Sequence, residues 1–354
     1  TETLGMMAPD SSCAPAVSSE RRRISEKTGQ IAVDIATKKR RPSSILTGKS
    51  FENALIVLLA IGGSTNGLIH LTAIAGRMGI KLDMESFDAL SRTIPVIVDL
   101  KPSGEGYMED LYKAGGLPRI LLELKDKLHL DVSTVTGKTL GQNIEEIQFS
   151  WQQNIVKSLA DPIYSEGGMA VLRGNLAPNT AIIKQSAATD SLLKHSGRAV
   201  VFDGLEDLAN RIDSEELDVN KEDILVLRYI GPKGAPGMPE AGLIPIPKKL
   251  ARQGVKDMVR ISDGRMSGTA SGTIILHVCP EAADGGPLAL VRTGDRISLD
   301  VKSRSLHLHV EDSELTSRRE TLDLTRFIAK RGYHKLYMDH VLQADEGVDF
   351  DFLV

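Results

Sequence analysis

Ile224-Leu225-Val226-Leu227-Arg228-Tyr229, followed by Gly231-Pro232-Lys233-Gly234-Ala235-Pro236-Gly237-Met238-Pro239-Glu240, is the stretch on which the architecture turns. A short apolar run stopped by a Pro/Gly-rich turn reads as a buried strand that ends in a loop of fixed direction. Working outward, comparable β-rich runs occur around 169–172, 181–183, 199–202, 273–278, 297–301 and 306–310, punctuated by Gly, Pro and Asp. Short strands separated by turn signals predict a barrel or a sandwich, with helices near 204–212, 247–253 and 316–329. The texture changes at Asp161-Pro162, which puts a domain boundary near residue 160 and divides the chain into 1–160 and 161–354.

Upstream of that boundary the pattern is mostly helical. Ser50 is positioned to cap a helix built on Ala54-Leu55-Ile56-Val57-Leu58-Leu59-Ala60-Ile61, with Glu52 near its positive end. Gly62-Gly63 breaks that helix, and Ser64 or Thr65 caps another that runs through Leu68, Leu71, Thr72, Ala75 and Met78 to Gly79. Pro95-Val96-Ile97-Val98-Asp99-Leu100 reads as a short buried strand. Helices alternating with such strands predict an α/β layer covered on both faces.

A length of 354 residues fits two domains, each able to bury a core. The formal net charge of -4 gives no basic field for nucleic acid or an anionic membrane, and Lys38-Lys39-Arg40-Arg41 is a short solvated run. The apolar run from Ala54 is far shorter than the roughly 20 residues a membrane span needs. Two cysteines, Cys13 and Cys279, lack CxxC spacing. They form neither a disulfide scaffold nor a cluster site, and an intracellular, cytoplasmic setting is expected. Thr1-Glu2-Thr3-Leu4-Gly5 has no signal-peptide character and no initiator Met, as in a truncated or processed chain.

Three loops are richer in Gly, Pro and polar residues than a connection needs. The first delivers Glu240 from a stiff platform, where it can ligate a hard cation or serve as an exposed turn residue. The second is Ile261-Ser262-Asp263-Gly264-Arg265-Met266-Ser267-Gly268-Thr269-Ala270-Ser271-Gly272-Thr273, whose glycines and hydroxyls fit a cradle for a carboxylate or phosphate as well as a plain loop. The third, Lys101-Pro102-Ser103-Gly104-Glu105 with Met108-Glu109-Asp110 and Ala114-Gly115-Gly116-Leu117-Pro118, can place Lys101 or acidic side chains at a domain interface as well as form a turn before a capped helix. No GxGxxG or Walker pattern is present. His307 and His309 share one face of a strand, His70 sits on an apolar helix as an interior residue, and His340 precedes a tail expected to dock.

At these loops the chain resembles the dihydroxyacid dehydratase and sugar-acid dehydratase family. The resemblance is carried by Ile61-Gly-Gly-Ser-Thr-Asn66 with His70, Leu100-Lys-Pro-Ser-Gly104, Ala114-Gly-Gly-Leu-Pro118, Pro236-Gly-Met-Pro-Glu240, Ile261-Ser-Asp-Gly-Arg-Met-Ser-Gly268 and Pro280-Glu-Ala-Ala-Asp-Gly-Gly-Pro287, in family order. Met266-Ser-Gly-Thr269 and the tail Asp349-Phe-Asp-Phe-Leu353 are closer to its pentonate (arabinonate or xylonate) branch than to its branched-chain amino-acid branch. The resemblance implies an α/β fold: the remainder of an N-terminal α/β domain, then a C-terminal β-barrel-like (swivelling β/α) domain, with the site between them. It implies a hydro-lyase that converts a 2,3-dihydroxy carboxylic acid to a 2-keto-3-deoxy acid. Its cofactors would be Mg2+, ligated by Glu240, and an iron-sulfur cluster, [2Fe-2S] in preference to [4Fe-4S]. Ser267 carries over as the base with Thr269 beside it; His340, which the docked tail could bring to the site, Ser262 and Arg265 are further candidate substrate contacts. Thr1 to Met6 match the helix that follows the last cluster cysteine in the family, so the chain is expected to be a fragment lacking those cysteines. Its partners would be the small acid and further copies of itself in a dimer or tetramer, with mitochondrial location an option behind a transit peptide. A non-catalytic remnant that binds a partner subunit or a sugar acid is the competing expectation.

Overall fold

The computed structural model describes residues 1–145 and 147–354. They form two compact units, one of Thr1–Gly63, Met78–Leu82 and Ala89–Gly168, the other of Ser64–Arg77, Asp83–Asp88 and Met169–Val354. The helices are α1 (Ser19–Thr37), α2 (Gly48–Ala60), α3 (Thr65–Arg77), α4 (Met84–Thr93), α5 (Met108–Ala114), α6 (Gly116–Glu123), α7 (Leu140–Glu145), α8 (Leu205–Arg211), α9 (Lys248–Arg252), α10 (Asp312–Glu320) and α11 (Gly332–His340). The strands are β1 (Ala170–Gly174), β2 (Ala177–Ile183), β3 (Lys194–Asp203), β4 (Ile224–Arg228), β5 (Arg260–Ser262), β6 (Ile274–Cys279), β7 (Arg296–Asp300) and β8 (Ser305–His309).

The first unit is helical, with no strand among its described residues. Its most buried helix, α2, keeps Phe51, Ile56, Leu59 and Ala60 at 2% exposure or less. Thr47, not Ser50, is its cap: the Thr47 hydroxyl accepts from Ser50 N, and the Ser50 hydroxyl accepts from Thr47 N at 2.7 Å. Ser50 is the return half of that capping box, three residues inside. The expected strand at Pro95 is another correction. Val96, Ile97 and Val98 are buried, but they pair only through the isolated bridges Val96↔Tyr164 and Val98↔Val156, and Ile97 N donates to Ala60 O. Their backbone groups are satisfied by loops and a helix end instead of a neighbouring strand, so no α/β layer forms among the described residues of this unit. Thr1 to Met6 form a turn instead of a helix, closed by Gly5 N to Glu2 O and Met6 N to Thr1 O. Gly5 is required there, because φ is +80° and a Cβ would stand 2.8 Å from Ser133 O.

The second unit is a closed barrel in the order β1-β2-β6-β5-β4-β3-β7-β8. Strands β3, β4, β5 and β6 run parallel to one another and β1 runs parallel to β8, while β2 with β6, β3 with β7, β7 with β8 and β1 with β2 are antiparallel. The unbroken apolar texture of β4 follows from its place. Ile224 and Val226 join the barrel interior with Ala199 and Val201 of β3. Leu225 and Leu227 face outward into a second core with Phe202, Leu208, Ile212 and Leu250. A strand covered on both faces shows no period-two alternation. Each such side chain contributes on the order of 1.5–3 kcal/mol by leaving water.

Two elements differ from the periodic expectation. Strand β5 lies inside what reads as the start of a loop, since three residues are too few to show a period. The helix expected over 316–329 begins earlier and ends sooner, as α10, where Asp312 and Glu314 sit in the first turn and Arg318 and Arg319 in the last. That charge order suits the helix dipole. The chain then makes a 3-10 turn at Thr325–Phe327 and forms α11, which sequence periodicity did not indicate. No helix among the described residues is long and apolar enough to cross a membrane.

Candidate active site

The barrel brings the first two loops together by topology. Because β4, β5 and β6 are adjacent and parallel, the segments after their C-terminal ends leave the sheet on the same side. That is where open parallel sheets commonly bind ligands. Two buried carboxylates tie the three segments to one another. Asp263, just after β5, accepts N–H bonds from Tyr229 and Ile230 after β4 and from Ala282 after β6. Glu281, after β6, accepts from Lys233 N, Gly234 N and the Gln343 side chain. Burial raises the pKa of both, and Glu281 is pushed up to about 7, first by desolvation and then by the nearby Asp263. Tyr337 of α11 braces the first loop, its hydroxyl accepting from Gly237 N at 2.8 Å and donating to Pro232 O at 3.0 Å.

On this frame sits a small polar constellation. Asn66, the second residue of α3, donates from Nδ2 both to Glu240 Oε1 at 2.5 Å and to Met266 O at 2.9 Å. The next residue, Ser267, has its hydroxyl 3.1 Å from that of Thr269. Arg265 donates from Nε to Met238 O and holds Nη1 4.0 Å from Glu240 Oε1. Gly268 is needed for this approach, since a Cβ there would stand 2.9 Å from the Ser64 side chain at the start of α3. The loop bearing Ser267 is thereby seated on the positive end of a helix. Asn66 Oδ1 is buried and has no hydrogen-bond partner.

Glu240, Ser267, Thr269 and Arg265 are therefore gathered in one place, and the structure adds Asn66. The sequence quoted Asn66 only as the end of a Gly-Gly-Ser-Thr-Asn stretch. A side-chain amide placed just past a helix cap was the signal available there. Ser262 is fully buried, and its hydroxyl accepts from Gly264 N, so it serves the turn. His340 is engaged through Nδ1 with Asp351 at 2.9 Å and packs edge-on against Phe352. The tail leading there is docked, as Asp349 pairs with Arg77 and Phe350 with Val341. His70 is exposed, contrary to the interior reading, because its face of α3 borders a cavity of about 500 Å3 shared with Arg77, Met238, Arg265, Val348 and Asp349. His307 and His309 form an exposed pair on β8. The Lys101 loop is self-contained, with Glu105 N donating to Asp99 and the Lys101 ammonium to Tyr107.

A carboxylate and an orphaned amide oxygen are hard ligands of the type Mg2+ takes, so Glu240 and its surroundings fit one side of a cation site. Among the described residues no group of three or more His, Cys, Asp and Glu is assembled to complete it. An iron-sulfur cluster does not fit these residues. Clusters are held by several thiolates, whereas Cys13 and Cys279 are both buried free thiols with pKa raised by desolvation.

The profile described as dihydroxy-acid/6-phosphogluconate dehydratase C-terminal matches residues 154–348, and the corresponding N-terminal profile matches residues 1–143. An L-arabonate dehydratase of Azospirillum brasilense is 49% identical over 100% of this chain and 62% of its own length. A 6-deoxy-6-sulfo-D-gluconate dehydratase of Pseudomonas putida is 45% identical over 99% of this chain and 61% of its own. A dihydroxy-acid dehydratase of Acetivibrio thermocellus is 41% identical over 98% and 62%. The chain thus spans about three-fifths of the length of the curated relatives it matches.

Proposed function

The chain belongs to the dihydroxy-acid/6-phosphogluconate dehydratase family, and on that premise we propose that it serves a hydro-lyase acting on a 2,3-dihydroxy carboxylic acid of the aldonic type. Water is eliminated across C2 and C3, and the enol so formed ketonises to a 2-keto-3-deoxy acid. The names of the relatives support a sugar acid such as arabinonate ahead of a branched-chain dihydroxy acid, since the L-arabonate and sulfogluconate relatives share 49% and 45% identity with this chain against 41% for the dihydroxy-acid dehydratase. The observation that carries the reading is that one asparagine, Asn66, bonds both Glu240 and the Met266 carbonyl, the residue before the Ser267–Thr269 hydroxyl pair.

In this reading Ser267 takes the C2 proton. A serine hydroxyl is a weak base at its ordinary pKa, so its alkoxide needs nearby donors. Thr269, 3.1 Å away, can donate to it, and the seat on the start of α3 adds a favourable dipole. Glu240 would hold Mg2+, with Asn66 fixing its carboxylate through Oε1. The cation, when bound, supplies charge stabilisation for the enolate that forms beside the substrate carboxylate. No step is assigned to an iron-sulfur cluster, because these residues provide no ligand set for one. The helical first unit would be the remainder of an N-terminal α/β domain of the whole protein. Assembly into a dimer or tetramer and a cytoplasmic setting belong to the same proposal.

The test is to express the gene's complete reading frame without oxygen, supply Mg2+, and follow 2-keto-3-deoxy acid formation from a panel of aldonic and branched dihydroxy acids. Turnover of at least one pentonate is expected, with Ser267→Ala losing about 10²-fold or more in kcat, as removal of a general base does. A Ser267→Ala protein with full activity would remove the base. Binding without any turnover across the panel would favour a non-catalytic role.

A further inference from the structure

We infer that Asn66 is the positioning residue of this site, the single group that sets the Glu240 carboxylate in register with the Ser267 loop. The inference rests on Glu240 acting as a cation ligand and deepens that reading.

Asn66 has a single side-chain NH2, and both of its hydrogens are used: one goes to Glu240 Oε1, the other to Met266 O. Those acceptors belong to loops that follow different strands, β4 and β5, and among the described residues no other hydrogen bond joins Glu240 to the 266–269 segment. Arg265 approaches Glu240 only to 4.0 Å. Glu240 is otherwise open to solvent, with 44% of its side chain exposed, so a carboxylate on a turn would sample many rotamers without this restraint. Asn66 itself cannot wander. It is 7% exposed, lies in the first turn of a 13-residue helix, and its own N–H donates to the Ser64 hydroxyl at 3.2 Å.

The third polar atom of the amide gives an independent sign. Asn66 Oδ1 is buried and unpartnered beside the carboxylate. A buried acceptor left without a donor is unfavourable by itself. An amide serving the fold alone would have that oxygen satisfied within the protein, as Asn175 does, where Nδ2 donates to Leu308 O and Oδ1 accepts from Leu308 N. An open acceptor next to Glu240 instead suits a hydroxyl or water donor that enters with the ligand. Outer partners of metal-ligating carboxylates hold their geometry, and losing one commonly lowers metal affinity about 10- to 100-fold.

The experiment measures Mn2+ binding, as a paramagnetic stand-in for Mg2+, by electron paramagnetic resonance and calorimetry on the whole chain. Wild type is compared with Asn66→Ala, Glu240→Gln and Asn175→Ala, and each variant's Tm is recorded. Asn66→Ala is expected to weaken Mn2+ binding about 10- to 100-fold, and Asn175→Ala to lower Tm while leaving Mn2+ affinity unchanged. If Asn66→Ala does not fold, Asn66→Leu keeps the volume without the amide and reads the same loss. Wild-type affinity in a folded Asn66 variant, with Glu240→Gln still weakened, overturns the inference and leaves Glu240 as the ligand. No Mn2+ binding by wild type, or undiminished binding by Glu240→Gln, overturns the Glu240 reading and this inference with it.

Discussion

At the scale of single residues the unusual feature is how many carboxylates near the site are denied water. Glu281 has no exposure and its pKa is pushed up to about 7 from an ordinary 4.5, chiefly by desolvation and secondly by Asp263. With the folded pKa above the unfolded one, the native chain holds a proton between those two values that the unfolded chain has released. Stability contributed by this group is therefore greatest below about pH 4.5 and falls as pH rises towards 7, beyond which the penalty is complete. Wild-type protein is expected to lose Tm across that window more steeply than Glu281→Gln, whose side chain does not titrate. The absolute Tm of the variant is not the test, because a Gln cannot accept all three donors that Glu281 accepts. Parallel Tm profiles for the two proteins between about pH 4.5 and 7 would show that Glu281 is already ionised in the fold. None of this is visible in the sequence, where Glu281 stands only as part of the Pro280-to-Pro287 stretch that carries the resemblance.

At the scale of elements, helix starts are the clearest case of competing local signals. Ser50 stands one turn before an apolar run, yet Thr47 is the better cap because Thr47-x-x-Ser50 satisfies two backbone donors reciprocally. Thr47→Ala is expected to destabilise the chain by about 1 kcal/mol and Thr47→Ser by only a few tenths, read from urea unfolding midpoints. Equal losses for Ala and Ser would point to the methyl group's packing instead of the cap. Elements with long local patterns were legible in the same way. Seven of the eight strands coincide with apolar runs that the sequence marks, and α2, α3, α8 and α9 lie where the spacing puts them. The failures share a cause: β5 is too short for a period, α11 has a single buried side chain, Met338, and the run at Pro95 is apolar for packing while its backbone pairs elsewhere. The candidate site divides similarly. Glu240, Ser267 and Thr269 follow from loop composition and resemblance, whereas Asn66 becomes visible only when α3 is placed against both loops.

At the scale of the whole molecule the decisive property is strand order, which no local pattern carries. Strand β2 pairs with β6 and β3 with β7, across long stretches of chain, and the parallel run β3-β4-β5-β6 is what sets the two site loops side by side. Closure of that ring is its weakest seam. Strands β1 and β8 meet through one register pair, Arg173↔Ser305, and next to it Asn175 takes over the ladder's work, its side-chain amide exchanging two hydrogen bonds with Leu308 at 2.8 and 2.7 Å. Gly174 lets the backbones approach, since a Cβ there would stand 2.0 Å from Leu306 O. A backbone oxygen cannot swing aside as a flexible side chain can, so Gly174→Ala must pull β8 away from β1. The expected result is a larger loss of stability than Asn175→Ala, which removes two part-buried hydrogen bonds worth about 1 kcal/mol each. Because the ring also fixes the spacing of β4 and β5, Gly174→Ala should weaken Mn2+ binding whereas Asn175→Ala, which leaves the strands in contact, should not. Thermal unfolding and metal titration of the two variants decide it: a Gly174→Ala protein as stable as wild type would mean that the barrel does not close at this glycine.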